Sequence, residues 1–111
     1  MPLPDLIESH AAKLRELHEA VWVTFRIRDE GDAQREAWSE ACRRFHSSYD
    51  ELAFPGGLSN AMSMLPAKNP TTIEVAVRFL ESDPWFFRSG YIKAKLMKHL
   101  RRVPLTEDQR I

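Results

Sequence analysis

The chain has 111 residues, of which 43% are apolar and 29% are charged, and its sixteen basic side chains balance sixteen acidic ones. This is the composition of a globular domain, and it excludes a disordered or fibrous chain. No apolar run approaches the roughly 20 residues that a membrane-spanning helix needs. Cys42 is the single cysteine, so no disulfide can form within the chain. Because the N-terminus also lacks the basic and apolar segments of a secretory signal, a cytoplasmic protein is expected.

A first helix is predicted to begin at Pro4 and Asp5, because proline suits the first helical position and an acid favours the positive end of the helix dipole. Apolar residues at three- and four-residue spacing then mark one face of a helix: Leu6, Leu14, Leu17, Val21 and Phe25. Apolar residues also alternate over residues 21–27, which leaves a β-strand as the alternative. We favour the helix because no second segment offers a strand partner, and we expect it to end within residues 28–31.

A second helix is predicted to begin with Asp32 as its N-cap residue. Its apolar positions again recur at helical spacing: Ala37, Ala41, Phe45, Tyr49 and Leu52. Two such helices, joined by a short acidic loop, predict an antiparallel hairpin. The residues Phe-Pro-Gly-Gly at positions 54–57 should then break the chain sharply.

Shorter helices are predicted in the second half of the chain. Residues 58–65 form the first, and after a loop at residues 66–70 either Thr71 or Thr72 caps the next. The buried side chains of that helix are predicted to be Ile73, Ala76, Val77 and Leu80. Asp83 and Pro84 then have the form of an N-cap and a first helical position, which predicts a new helix from residue 84 onward.

The last long helix is predicted to bury Ile92, Leu96, Leu100 and Val103 and to end at Pro104. Gly90 either lets another helix approach closely or divides this segment into a short turn and a longer helix. Residues 106–109 have the pattern of a capping box. Together these elements predict an all-α fold, a single domain spanning residues 1–111 with about five helices and with residues 1–4 and 104–111 frayed. Its successive helical pairs form a bundle or an array whose pattern resembles HEAT-type helical repeats.

One set of side chains has the composition of a catalytic triad. Cys42, His46 and Asp50 follow one another at four-residue spacing and offer a thiol, a base and an acid. A helical row places its members about 6 Å apart rather than at one point, however, and it provides no oxyanion donors. Cys42 and His46 could also supply two metal ligands, but no second chelating pair accompanies them. We therefore expect no catalytic residues, no metal and no cofactor, and a Cys/His-dependent enzyme or metal protein is the weakest hypothesis.

Charge is distributed unevenly along the chain. Residues 1–55 hold seven basic and eleven acidic side chains, whereas residues 56–111 hold nine and five, and residues 88–102 hold six basic side chains and no acid. Such a segment, interleaved with aromatics, suits nucleic acid. Two alternatives remain open: a plain solvated helix face, which is the favoured interpretation and could also pair with the acidic N-terminal half, and a surface that binds an acidic protein.

Three consecutive aromatics at residues 85–87 precede the basic segment. They cannot all point inward from one helix, so either at least one is exposed at an interface or the segment is wedged between two helices and buried. We favour the buried segment, because exposed apolar patches are uncommon on monomers. The favoured hypothesis is a non-enzymatic interaction module that binds a protein partner or a second copy of itself. The alternative is a nucleic-acid-binding protein using residues 88–102. The predicted partner-binding residues are Trp85, Phe86, Arg88, Tyr91, Lys95, Arg101 and Arg102.

Overall fold

The computed structural model describes residues 2–110, and within that range the chain is helical and contains no strand. The all-α prediction is confirmed. Five α-helices and one 3-10 helix follow in chain order: α1 Leu3–Arg26, α2 Asp32–Ala53, α3 Leu58–Met64, α4 Pro70–Ser82, α5 Ser89–Leu100, and the 3-10 helix Glu107–Gln109. No helix of residues 2–110 is long and apolar enough to cross a membrane.

Helix α1 runs without interruption through the segment for which a strand was the alternative. It begins at Leu3, one residue before the predicted start, and ends at Arg26. Near its end Thr24 Oγ1 donates a hydrogen bond to the Ala20 carbonyl at 2.7 Å, and Arg28 Nη1 donates to the Phe25 carbonyl at 2.8 Å. The second bond satisfies one of the carbonyls that a helix end leaves without an intrahelical partner.

Helix α2 packs antiparallel to α1, as predicted, but its N-cap was assigned to the wrong residue. Asp32 is the first residue of the helix and Gly31 is the cap. The side chain of Asp32 therefore lies in the first turn, where it favours the helix through the dipole. At the other end the predicted break is confirmed, because Gly56 and Gly57 both adopt positive φ angles, 83° and 97°, which glycine tolerates best.

Helix α4 is capped two or three residues earlier than predicted. The cap is Asn69, whose Oδ1 accepts a hydrogen bond from the Thr72 amide at 3.1 Å, so neither Thr71 nor Thr72 is the N-cap residue. The physical reason is Pro70, which has no amide hydrogen and a fixed φ, and therefore suits the first helical position and leaves the cap to the residue before it.

Residues 83–88 do not begin a helix, which corrects the predicted restart at Asp83 and Pro84. Asp83 ends α4 in the left-handed conformation, and its amide bonds to the Phe79 carbonyl at 3.0 Å. Pro84 is fully buried behind it. The chain then turns through Arg88, also left-handed, and α5 starts at Ser89. Gly90 is thus the second residue of α5, close to the predicted division into a turn and a longer helix.

The core lies between the N-terminal half of α1, the C-terminal half of α2 and the three shorter helices. Fifteen apolar side chains are buried there: Ile7, Ala11, Leu14, Leu17, Phe45, Ala53, Phe54, Ala61, Leu65, Ala76, Val77, Phe79, Ile92, Leu96 and Leu100. Of the predicted stripe of α5, Ile92, Leu96 and Leu100 are buried, whereas Val103 lies beyond the end of the helix at Leu100 and is only partly buried. In α4 the buried aromatic is Phe79, which the predicted stripe omitted, whereas Leu80 is only partly buried.

The C-terminal segment packs against α4. The predicted capping box is confirmed, because Thr106 and Gln109 bond each other's backbone amides. Arg78 of α4 forms ion pairs with Glu74, Glu81 and Asp108. Residues 1–4 and 104–111 were predicted to be frayed. Leu3 and Pro4 instead lie in α1, and the C-terminal tail makes the contacts just given. Residues 1 and 111 lie outside the described range.

Candidate functional site: an uncovered aromatic surface

The structure divides the predicted partner-binding residues between two faces of α5, apart from Phe86, which packs against the core, and Arg102, which is exposed in the turn after α5. Arg88, Tyr91 and Lys95 line a cavity of about 320 Å³ together with Tyr49 and Met62. Tyr91 is 71% exposed and lies one helical turn before Lys95, so both reach solvent on the same side. This face carries the interleaved aromatic and basic side chains that the sequence predicted.

On the second face of α5, Lys93 contacts Trp85, which precedes the helix and is 68% exposed. Its ring lies over Lys93, with the ammonium 4.2 Å from the ring centroid and 2.7 Å from Asp83 Oδ1. The Trp85 carbonyl accepts a hydrogen bond from Arg15 Nη1 of α1 at 2.7 Å. Arg101 lies farther along this face, beside a wider apolar cavity of about 630 Å³. Trp85 is therefore held in place by the hydrogen bond to its carbonyl and by the Lys93 ammonium over its ring.

The three consecutive aromatics have three different environments. Trp85 is exposed, Phe87 is 41% exposed, and Phe86 packs against the core with its ring centroid 6.2 Å from that of Tyr49 and 6.4 Å from that of Phe79. The buried segment, which the sequence analysis favoured, is therefore wrong, and the alternative that at least one ring is exposed is confirmed. The reason is that residues 83–88 follow no helical repeat, so successive side chains leave the backbone in unrelated directions.

Most of the basic side chains of residues 88–102 have no ion-pair partner within residues 2–110. Lys93 pairs with Asp83, and the other five lack a carboxylate within 4.0 Å: Arg88, Lys95, Lys98, Arg101 and Arg102. Within residues 2–110 these five cations do not pair with the acidic N-terminal half, and the plain solvated face stays open as an interpretation. The cations remain available to an external anion.

The Cys42, His46 and Asp50 row does not converge. Asp50 Oδ1 accepts hydrogen bonds from the Ser59 amide at 2.8 Å and from Ser59 Oγ at 2.6 Å, so it caps the start of α3 instead of orienting His46. The His46 ring lies edge-on to Phe45, with 5.9 Å between centroids. Across residues 2–110 no three His, Cys, Asp or Glu side chains come together as a metal-binding group.

An aromatic surface that the sequence analysis missed runs along the far half of the α1–α2 hairpin. No residue from 18 to 44 is buried, so this part of the hairpin, here called the arm, extends beyond the core. Five rings form a continuous row along it, and we call this row the arm surface: Trp38, Phe25, Trp22, His18 and Phe87. The successive centroid distances are 6.0, 5.7, 6.3 and 4.7 Å, the last between nearly parallel rings.

The arm surface continues the buried stripe of α1. Ile7, Leu14 and Leu17 of that stripe are covered by the shorter helices, whereas Trp22, farther along the same helix, is 48% exposed. The cause is length: α1 has 24 residues and spans about 36 Å, but α4 has 13 and spans about 20 Å. Comparing the predicted helix lengths would have signalled that part of the hairpin has nothing to cover it.

Both ends of the arm surface carry an arginine. At the tip, the Arg28 guanidinium lies 3.7 Å from the Phe25 ring centroid and 5.6 Å from that of Trp38. At the base, the Arg88 guanidinium lies 5.3 Å from the Phe87 centroid. Cations over aromatic faces are attracted by the negative ring face and keep the rings presented to one side. Arg88 thus belongs to both the predicted site and the arm surface.

The base of the arm surface is joined to the core by Tyr49. Its hydroxyl donates a hydrogen bond to the Phe87 carbonyl at 2.7 Å. Burial raises the pKa of the Tyr49 phenol, an effect that the nearby positive charge of Arg88 partly offsets.

Comparison with protein-family models, with curated proteins and with solved structures finds no match to this chain. The geometry of the arm and of α5 therefore supplies the functional argument.

Proposed function

We propose that this protein is a non-enzymatic helical interaction module that binds another protein chain through the arm surface. The observation that carries the proposal is that the apolar stripe of α1 continues past the last helix that could cover it. Trp22 and Phe25 are each more than a third exposed, and their rings lie together with 5.7 Å between centroids. Contiguous exposed apolar patches on a folded chain mark interaction sites more often than isolated ones do.

The composition of the arm surface also supports a protein partner. Tryptophan and arginine are enriched among the residues that dominate binding energy at interfaces, and Trp22, Trp38 and Arg28 lie within one row. Ring-to-ring contacts hold these side chains in fixed positions before a partner arrives, which lowers the entropy lost on binding. The predicted segment at residues 85–88 adds Phe87 and Arg88 to the base of the same surface.

Photo-crosslinking in living cells tests this proposal. A photoreactive phenylalanine analogue replaces Phe25, which leaves an aromatic ring in the row. The matched control places the analogue at Met97 on α5, which has similar exposure, 47%, and lies outside the arm. A protein adduct of discrete mass formed from position 25 and not from position 97 supports the proposal. Equal labelling from both positions, or none from position 25, contradicts it.

Nucleic-acid binding by α5 is the second candidate function. It is favoured by the face on which the exposed Tyr91, whose ring could stack on a base, lies with two cations, Arg88 and Lys95, that form no ion pair within residues 2–110. Fluorescence anisotropy with single-stranded RNA and DNA tests it. Binding should weaken steeply as salt is added, because cations that contact phosphates release counterions. Lys95→Glu should abolish binding, and the absence of binding to either strand at low salt would remove this candidate.

A further inference from the structure

The chain exposes more surface than a monomer of its mass needs. Its accessible surface is 7280 Å², whereas a compact monomer of 12.9 kDa exposes about 6,300 Å². The radius of gyration is 16.6 Å, against about 13 Å for a compact domain of this length. The excess of roughly 1,000 Å² is close to the area of about 800 Å² that each partner buries in a stable interface. The arm accounts for the elongation, since the molecule measures 57 × 24 × 21 Å.

Two charged residues beside the arm surface, Glu19 and Arg26, have positions that suit pairing with the same residues of a second copy. Glu19 precedes Trp22 by one turn of α1, and Arg26 follows it by one turn. Both are exposed, and neither forms an ion pair within residues 2–110, although charges nearer the N-terminus of α1 do, such as Glu8 with Arg15. In two antiparallel copies of α1 that cross at Trp22, Glu19 of each lies opposite Arg26 of the other.

We propose that the arm surface binds the arm surface of a second copy of this chain, so that two hairpins form an antiparallel four-helix bundle about a two-fold axis at Trp22. This inference rests on the proposed function and names the partner. A two-helix layer leaves one apolar face open, and a second identical layer closes it with coiled-coil-like packing. The same patch then serves on both subunits, which is the requirement of a two-fold interface.

The antiparallel arrangement also brings the ends of the two arm surfaces together. The tip of one arm, with Phe25 and Arg28, reaches the level of Phe87 at the base of the other. The tip carries both an exposed acid, Glu30, and a cation, Arg28, and the base carries Arg88, so the charges at the two ends do not select the direction. The direction follows from Glu19 and Arg26, because a parallel pair would place each of these charges opposite its own copy.

Sedimentation equilibrium over a range of micromolar concentrations tests the dimer. The wild-type chain should self-associate to a dimer, and Trp22→Ala should raise the dissociation constant by about a hundredfold or more, because an aromatic anchor is lost from both subunits at once. Met97→Ala, which removes a side chain of matched exposure from α5, should leave the dissociation constant unchanged. A wild-type chain that stays monomeric, or a dimer that Trp22→Ala does not weaken, overturns the inference.

Charge reversal tests the two-fold register without removing apolar surface. Glu19→Arg alone and Arg26→Glu alone each place like charges opposite one another twice, and should raise the dissociation constant by about tenfold or more. The double variant exchanges the charges and should restore the wild-type value. An equimolar mixture of the two single variants should form the heterodimer in preference to either homodimer. If the single variants dimerise as the wild type does, or the mixture shows no preference, the register is wrong.

The outcomes separate this inference from the proposed function. Circular dichroism of each variant confirms that the helices are intact, and the two charge variants, both at exposed positions, keep the test valid if Trp22→Ala does not fold. Crosslinks from position 25 to a different protein, with a monomeric wild-type chain, retain the interaction module and refute the second copy. A crosslinked adduct of twice the chain mass, linking position 25 to the arm of another copy, supports both.

Discussion

Replacing Phe79 by alanine should destabilise the domain more than any comparable change in α4. Phe79 is 1% exposed, and its ring centroid lies 5.3 Å from that of Phe54. A buried phenylalanine removes about 150–250 Å² from water, which at about 25 cal/mol/Å² corresponds to about 4–6 kcal/mol, and measured Phe→Ala losses in cores are about 3–5 kcal/mol. A chain of this length has a free energy of unfolding of about 6–16 kcal/mol, so the loss is a large share of it.

Leu80→Ala provides the matched control for Phe79→Ala. Both positions lie in α4, and both substitutions introduce the same residue, so helix propensity changes little between them. Leu80 is partly buried and should lose about 1–2 kcal/mol, since less of its apolar surface leaves water on folding. Urea unfolding monitored by circular dichroism measures both, with equal slopes showing that the unfolded states are comparable. Equal losses, or a larger loss at Leu80, would refute the packing described for α4.

Three further effects follow from polar contacts. Asp50→Ala should lower the free energy of unfolding by about 1–2 kcal/mol, measured by urea unfolding, because the start of α3 loses its side-chain cap at Ser59. Burial raises the pKa of Tyr49 in the folded state, so the folded chain keeps a proton that the unfolded chain loses. The free energy of unfolding should therefore fall as pH rises above about 10, the ordinary tyrosine value, and Tyr49→Phe should reduce that fall. Arg78→Ala should speed amide exchange in residues 105–110, because the ion pair with Asp108 ties this segment to α4; unchanged exchange there would contradict this role.

The helical character of the chain could be predicted from local pattern. The last long helix was predicted to end at Pro104 and ends instead at Leu100. Apolar side chains do recur every three or four residues through the long helices, and the break at Gly56 and Gly57 follows from backbone chemistry that acts within a few residues. The capping box at residues 106–109 was predicted for the same reason, since its two hydrogen bonds join residues three apart. Features that depend on neighbours in sequence were thus predictable.

Boundaries near proline were less predictable because one residue has more than one suitable role. Asp83 and Pro84 match the start of a helix, yet Asp83 ends α4 in a left-handed conformation and Pro84 is buried behind it. Sequence pattern alone does not distinguish these outcomes, since proline is common both at the first position of a helix and shortly after the last. The choice depends on where residues 85–87 pack, which is a tertiary contact.

The sequence by itself determined which face of each helix is apolar, and only the tertiary structure decided which part of that face is covered. The periodicity of α1 is the same at Leu14 and at Phe25, but α4 and the segment after it reach only as far as His18. Periodicity records the orientation of side chains about one helix axis, whereas burial depends on the length and position of other helices. For that reason Phe25 was predicted as core and is instead part of the arm surface, where the proposed interaction takes place.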